Sequence, residues 1–359
     1  MLLALITSAY TTVMRARLTT FLGTLSLPAL VAAHHSVTAQ FDLDNTIEVE
    51  GEVTRVSWQN PHVRFTVDVA EGGEAAVWIV ESTSVSTLRR MDISARLISV
   101  GDRIRVAGNP SRSEAREIYV NNMLLPDGRE VVMSANVAPR WSDRTLGTSG
   151  PGFENSGGVS APTRGLFRVW STPFSVPILF PENINFDFDL DSYPLTAAAR
   201  ASIEAWDQVM DNPTLNCAAK GMPTIMEQPF PMEFVDQGDA VLLRLEEYDL
   251  VRTIHMDSTT MPVGEPPSPL GFSVGHWEDR TLVVSTAGIN WPHFDTVGIP
   301  LSEAATIVER FTPSADGDRL DYDMIVTDPG TFTEPVTLGK HWVWVPGVEV
   351  GSYDCVVGE

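Results

Sequence analysis

The chain has 359 residues, 43% of them apolar and 20% charged, and 47 acidic side chains stand against 24 basic ones. Such a length admits two domains, and 25 prolines with 26 glycines suit a loop-rich, strand-rich protein better than a helical one. A formal net charge of −23 repels nucleic acid and anionic lipid head groups, so a DNA or RNA partner is excluded from the expectation.

Residues 1–33 read as a signal peptide. Arg15 and Arg17 form a basic start, "LTTFLGTLSLPALVA" (18–32) is the apolar core, and Val31-Ala32-Ala33 supplies small residues for cleavage. The preceding "MLLALITSAYTT" has no place in such a signal, which makes Met14 the expected true start. A retained N-terminal anchor is the alternative, but the main apolar run is shorter than the ~20 residues a spanning helix needs. No later segment could span. Cleavage removes two arginines and no acid, which leaves 22 basic and 47 acidic residues and a net charge of −25. The expected location is the periplasm or the exterior, with no stable membrane insertion after cleavage.

Residues 34–135 alternate as short strands: "TIEVEGEVTRVSW" (46–58), "HVRFTVDVA" (62–70) and "AAVWIVES" (75–82). A short helical stretch follows in "STSVSTLRRM" (82–91), then strands in "GDRIRVAGNP" (101–110) and "REIYVNNMLL" (116–125). Three strands, a helix and two strands is the order of an OB-type barrel. Residues 136–170, rich in Gly, Ser and Pro without a period, read as a flexible linker.

Residues 171–359 open with a helix in "YPLTAAARASIEAWDQVMDNP", with Thr196 as its cap and Pro213 as its stop. Nine strand-like runs follow, from "MEFVDQ" to "EVGSYDCVV". The expected fold is therefore mainly β: an OB-like small barrel, then a lipocalin-like antiparallel barrel or curved sheet plugged by one helix. Barrels of the second kind commonly enclose a small apolar ligand. The two cysteines, Cys217 and Cys355, are expected to form one disulfide in an oxidising compartment.

If cleavage falls after Ala33, His34 becomes the mature N-terminus, where its amino nitrogen and ring Nδ1 chelate one metal. His35 or His62, the latter in "WQNPHVRF", supplies a further imidazole, and His62 is the better placed of the two. Such nitrogen ligands suit copper(II). Two solvated histidines on a loose end are the alternative. A calcium loop at Asp187, Asp189 and Asp191 is rejected, because Ser192 and Ala198 occupy the positions that need glycine and glutamate.

The segment "GFSVGHWEDRTLVVSTAGINWPHFD" (271–295) gathers His276, Trp277, Trp291, His293 and Asp295. His276, His293 and Asp295 are candidates for acid–base catalysis, and Trp277, Trp291 and His293 for lining a ligand pocket. Core aromatics and surface polar groups are the competing reading. No G-x-S-x-G and no G-x-G-x-x-G after a strand is present, so neither a serine hydrolase nor a nucleotide cofactor is expected.

"AHHSVTAQFD", "GEVTRVSWQNPHVRFTVDV" and "GDRIRVAGNPSR" together resemble a family of exported bacterial proteins known only as a domain of unknown function, over roughly residues 33–135. "NPTLNCAAKGMP", "GFSVGHWEDRTLVVSTAGIN" and "LDYDMIVTDPGTFTEP" resemble a second uncharacterised secreted group. Its members read "GHSVGRWEGDTLVV" where this chain has Phe272 and His276. Neither resemblance implies an activity; both imply export and a two-part layout. The leading expectation is a non-catalytic binding protein for a small apolar ligand, with copper held by His34, His35 and His62. The alternatives are a copper-dependent oxidative enzyme and a cofactor-free hydrolase or isomerase in the C-terminal part.

Overall fold

The computed structural model describes residues 37–72, 74–133, 137–147, 165–173, 190–207 and 210–356. His34 and His35, and with them Asp187 and Asp189, lie outside the described residues. A four-residue helix, α1 (Val37–Gln40), leads into the first barrel.

Strict alternation builds that barrel. In β1 (Ile47–Ser57), Val49, Gly51 and Val53 point inward while Glu48, Glu50 and Glu52 face water. A Cβ on Gly51 would lie 2.2 Å from the Asp68 carbonyl oxygen, so the neighbouring strand approaches too closely for any side chain there. β2 (Arg64–Glu71) and β3 (Glu74–Glu81) continue the meander, burying Phe65, Val67 and Val80. Helix α2 (Val85–Arg90) follows, capped by the Ser84 hydroxyl, which accepts from the Thr87 amide. β4 (Arg103–Pro110) and β5 (Glu117–Leu124) complete the set. β1 pairs with β2 and β4, β2 with β3, β4 with β5, and a parallel β3–β5 pairing closes five strands in the OB order. Short β6 (Glu130–Val132) and β7 (Thr145–Leu146) extend the sheet beyond β5.

The second barrel closes with nine strands: β8 (Val169–Ser171), β9 (Met232–Asp236), β10 (Ala240–Leu245), β11 (Leu250–His255), β12 (Phe272–Glu278), β13 (Thr281–Ala287), β14 (Thr306–Pro313), β15 (Arg319–Thr327) and β16 (Val336–Trp344). All neighbours are antiparallel except β11 and β12, which run parallel. Inward positions carry Trp170, Phe234, Leu243, Ile254, Phe311, Tyr322, Met324 and Trp342, all at most 2% exposed. Among them lies a polar knot. Arg252 bonds both carboxylate oxygens of Glu309, the Ser273 hydroxyl (3.0 Å) and the Thr286 hydroxyl (2.7 Å), and the Tyr322 hydroxyl donates to Glu309 (2.8 Å).

Several local features differ from the sequence reading. The helix α3 spans only Ala197–Ala205, capped by Thr196 as expected, and it buries Ala199 alone. It stops eight residues before Pro213, which opens a separate 3-10 turn. β7 falls inside the stretch read as linker, and β8 begins within its last two residues. Among its described residues, the run "EVGSYDCVV" makes one isolated bridge, Asn60 to Cys355, and two of its amides turn to side chains instead of a strand. Gly351 donates to Glu246 (2.7 Å) and Tyr353 to Asp249 (3.0 Å). Cys217 and Cys355 are joined as a disulfide, so this tail is tied to the segment after α3.

Candidate functional site

The "NPH" turn between β1 and β2 is where the two barrels meet. Asn60 is 2% exposed; its side-chain amide donates to the Tyr353 carbonyl (2.5 Å) and its side-chain oxygen accepts from the Val85 amide (3.0 Å). One side chain thus fastens the C-terminal tail and the start of α2 to the turn. The end of α2 reaches across as well. Arg89 holds both oxygens of the buried Glu246 carboxylate (2.8 and 2.9 Å), while Arg90 donates to the Ser171 hydroxyl (2.7 Å) and the Thr172 carbonyl (3.0 Å).

His62 stands two residues beyond Asn60. Its Nδ1 lies 3.1 Å from the Ser82 carbonyl and 3.3 Å from the Glu81 carboxylate. Both are acceptors, so Nδ1 carries a hydrogen. Glu81 is fully buried at the end of β3, and Arg64, its cross-strand partner, grips it at 2.6 and 2.8 Å. A carboxylate behind an imidazole Nδ1 is the arrangement that orients metal-ligating histidines.

The chain just after the two N-terminal histidines is pinned to the same place. Phe41 is fully buried against Tyr119 (ring centroids 5.4 Å apart), and Val37 joins that small core. Gln40 donates to Glu117 (2.7 Å), whose carboxyl is held above its ordinary range by burial and by the neighbouring Glu81. The same two causes, in the same order, push the Tyr119 phenol up. Asn109 grips the carbonyls of Asp42, Leu43 and Asn45.

These pieces border one cleft of about 210 Å³ between the barrels. Val37, His62, Thr83 and Tyr119 come from the first barrel's side; Thr172, Phe230, Glu247 and Tyr353 come from the second. Behind Glu247 the second barrel holds a buried group of charges. Lys220 pairs with Glu247 (2.9 Å), and Lys340 donates to the Met226 carbonyl (2.9 Å) beneath the Trp342 ring. Burial pushes Lys340 down to about 7, against Glu227 and Glu247, and pushes Glu227 up to about 8, against Lys220.

The C-terminal candidates do not assemble into one site, although Trp291 and His293 are in contact. His276 is largely exposed at the end of β12, 3.3 Å from Glu278, which also pairs with Arg310 (2.7 Å). Trp277 is 42% exposed and meets Phe167 edge-on. Trp291 is buried and donates to the Thr224 hydroxyl (2.8 Å). His293 sits edge-on between Trp291 and Trp206 (5.0 and 5.3 Å), where burial holds its pKa below the ordinary value. Asp295 makes no hydrogen bond to His293. Its Oδ1 takes the amides of Val297, Gly298 and Ile299, all within 3.0 Å, which closes a loop.

Sequence reasoning missed Glu81, the Arg252–Glu309 knot and the Lys340 group. Strand phase could have found the last two, since Lys340 shares the inward phase of Leu338 and Trp342, and Glu309 that of Ile307 and Phe311. Glu81 ends the apolar run "VWIV", a weaker signal.

Residues 23–119 match one family. It is described as a family of unknown function (DUF6152). The match includes the NPH turn, His62, Arg64, Glu81 and α2, and it ends at Tyr119; the second barrel lies beyond it. It covers the stretch whose HHS and NPH residues carried the first resemblance, whereas the C-terminal resemblance has no such match behind it. A search of curated proteins finds no match. No described helix is long and apolar enough to cross a membrane.

Proposed function

We propose that the protein is an exported, non-catalytic binding protein that captures copper(II) at the edge of the inter-barrel cleft, through His62 and the N-terminal histidines His34 and His35. The observation that carries this reading is the coincidence of His62 and Val37 in one cleft. Val37 is three residues on from His34, so covalent geometry keeps their α carbons within about 11 Å. The His62 Nδ1 faces the Ser82 carbonyl with the Glu81 carboxylate 3.3 Å away, the kind of neighbours that orient a ligating imidazole. Nitrogen donors without thiolate favour copper(II) among the divalent first-row ions. The disulfide Cys217–Cys355 supports export to an oxidising compartment.

Side chains occupy the inward positions of the second barrel, so we place the organic ligand of a binding role in the cleft. A second reading, a copper-dependent oxidative enzyme, draws on the same opening beside His62: a substrate there would lie next to the metal. Steady oxygen or peroxide consumption with a reductant would favour it over simple capture.

The test is a copper(II) titration of chelator-free protein followed by electron paramagnetic resonance. The wild type should give one axial signal with nitrogen hyperfine structure at one equivalent. His62→Ala should lose it, and Glu81→Gln should weaken affinity by roughly 10–100-fold, the usual effect of removing an outer-sphere partner. An unchanged signal in His62→Ala would defeat the reading.

A further inference from the structure

The part of the cleft lined by the second barrel and the tail holds two polar atoms that have no hydrogen-bond partner. Glu247 Oε2 and Thr172 Oγ1 are both without one, and each residue is 4% exposed. Buried polar atoms are seldom left so, and their exceptions call for an explanation such as a bound molecule. Glu247 Oε1 is already taken by Lys220 at 2.9 Å, so the free oxygen asks for a hydrogen-bond donor without asking for a counter-charge. The Thr172 hydroxyl can donate or accept.

Each charge around this part already has an opposite neighbour: Lys220 pairs with Glu247, and Glu246 acts on Arg90. The Glu247 carboxylate and the Arg90 guanidinium both line the cleft, the latter held by Ser171 and Thr172. An added anion would face Glu247, and an added cation would face Arg90. The walls are apolar: the Phe230 and Tyr353 rings, 5.3 Å apart and tilted 55° to one another, together with Pro229. An apolar occupant would suit the walls but strand both polar atoms. The whole cleft, about 210 Å³, equals roughly seven waters at ~30 Å³ each.

We propose that this part of the cleft binds a small, neutral, polyhydroxylated molecule of the monosaccharide class, with hydroxyl groups on Glu247 Oε2 and Thr172 Oγ1 and its C–H face against Phe230 and Tyr353. Hydroxyls donate and accept, which both atoms require, and the sugar ring presents an apolar face to the aromatic wall. The site does not depend on copper.

The test uses the full exported chain, copper-free, with saturation-transfer NMR titrations of D-glucose, methyl β-D-glucopyranoside, D-glucosamine and D-glucuronate. The two neutral sugars should bind, and the cationic and anionic analogues should bind about tenfold more weakly or worse, as an uncompensated charge among already paired charges requires. Glucose binding better than its methyl glycoside points to a free sugar, and the reverse to a glycan end; either supports the site. Glu247→Leu and Thr172→Val remove the two polar atoms and add no donor, and each should weaken neutral-sugar binding by about tenfold for a lost hydrogen bond. If Glu247→Leu fails to fold, Thr172→Val decides alone. No transfer to any of the four probes, a charged probe bound most tightly, or wild-type affinity in the folded variants would overturn the proposal.

Discussion

Breaking the polar knot inside the second barrel one partner at a time should cost far more than removing it whole. Arg252 is 1% exposed and Glu309 is fully buried, so neither charge can turn to water when its partner is lost. Arg252→Met leaves the Glu309 carboxylate with only the Tyr322 hydroxyl, and a stranded buried charge of this kind costs about 3–5 kcal/mol. Glu309→Leu strands the guanidinium, with a similar loss. In Arg252→Met/Glu309→Leu both charges are gone. Ser273 and Thr286 keep their mutual hydrogen bond (3.0 Å), which leaves the Tyr322 hydroxyl as the main group deprived of a partner. That deficit is about 1–3 kcal/mol, so the double variant should lose no more than ~3 kcal/mol, against a sum of singles of roughly 6–10 kcal/mol. Urea denaturation of the four proteins with the disulfide intact measures the cycle. A double variant that loses the full sum would refute the reasoning, because the two charges would then be acting independently.

Asp295 gives a pH signature. Burial lifts its pKa to about 6 despite the three loop amides, so the folded state binds the extra proton between its ordinary value of 3.8 and about 6. Its contribution is therefore present below pH ~4 and lost as pH rises through ~6, and Asp295→Asn should gain stability relative to wild type over that window in parallel thermal melts. No relative change between pH 4 and 6 would remove the burial argument. The disulfide spans 138 residues of sequence, for which chain entropy gives at most about 5 kcal/mol. Cys217→Ser/Cys355→Ser should lower the urea midpoint by a large part of that, and a shift under ~1 kcal/mol would show that Asn60, Glu246 and Asp249 hold the tail unaided. Asn60→Ala strands the Tyr353 carbonyl and the Val85 amide, and should cost about 2–5 kcal/mol in the same assay; an unaffected midpoint would contradict its role at the interface.

Both barrels were readable because their strands alternate cleanly. Val49, Gly51 and Val53, or Ile307 and Phe311, declare an inward face without knowledge of the partner strand. The OB order followed from one helix placed between the third and fourth strands. What could not be read was set by contacts between distant segments. Asn60 and Tyr353 are 293 residues apart, and nothing local in "NPH" announces that its asparagine anchors a tail. "EVGSYDCVV" has a strand's composition, yet two of its amides find Glu246 and Asp249, carboxylates supplied by another part of the chain. The three-residue β8 was missed because so short a strand carries too little alternation to separate it from a loop. At the site, the sequence pointed to His62 but not to Glu81, whose role depends on the β2–β3 register that sets Arg64 opposite it. In the C-terminal segment it grouped His276, His293 and Asp295 by proximity in the chain, whereas Asp295 is spent on its own loop and His276 stands in solvent.

The copper claim is tested most directly by a native mass spectrum of the exported, chelator-free protein and its His62→Ala variant, each with one equivalent of copper(II). The account predicts a mature chain beginning at His34 that retains one copper through desalting, and a variant with the same N-terminus that does not. Equal retention by both proteins, or a chain starting at His34 that holds no copper, would contradict it.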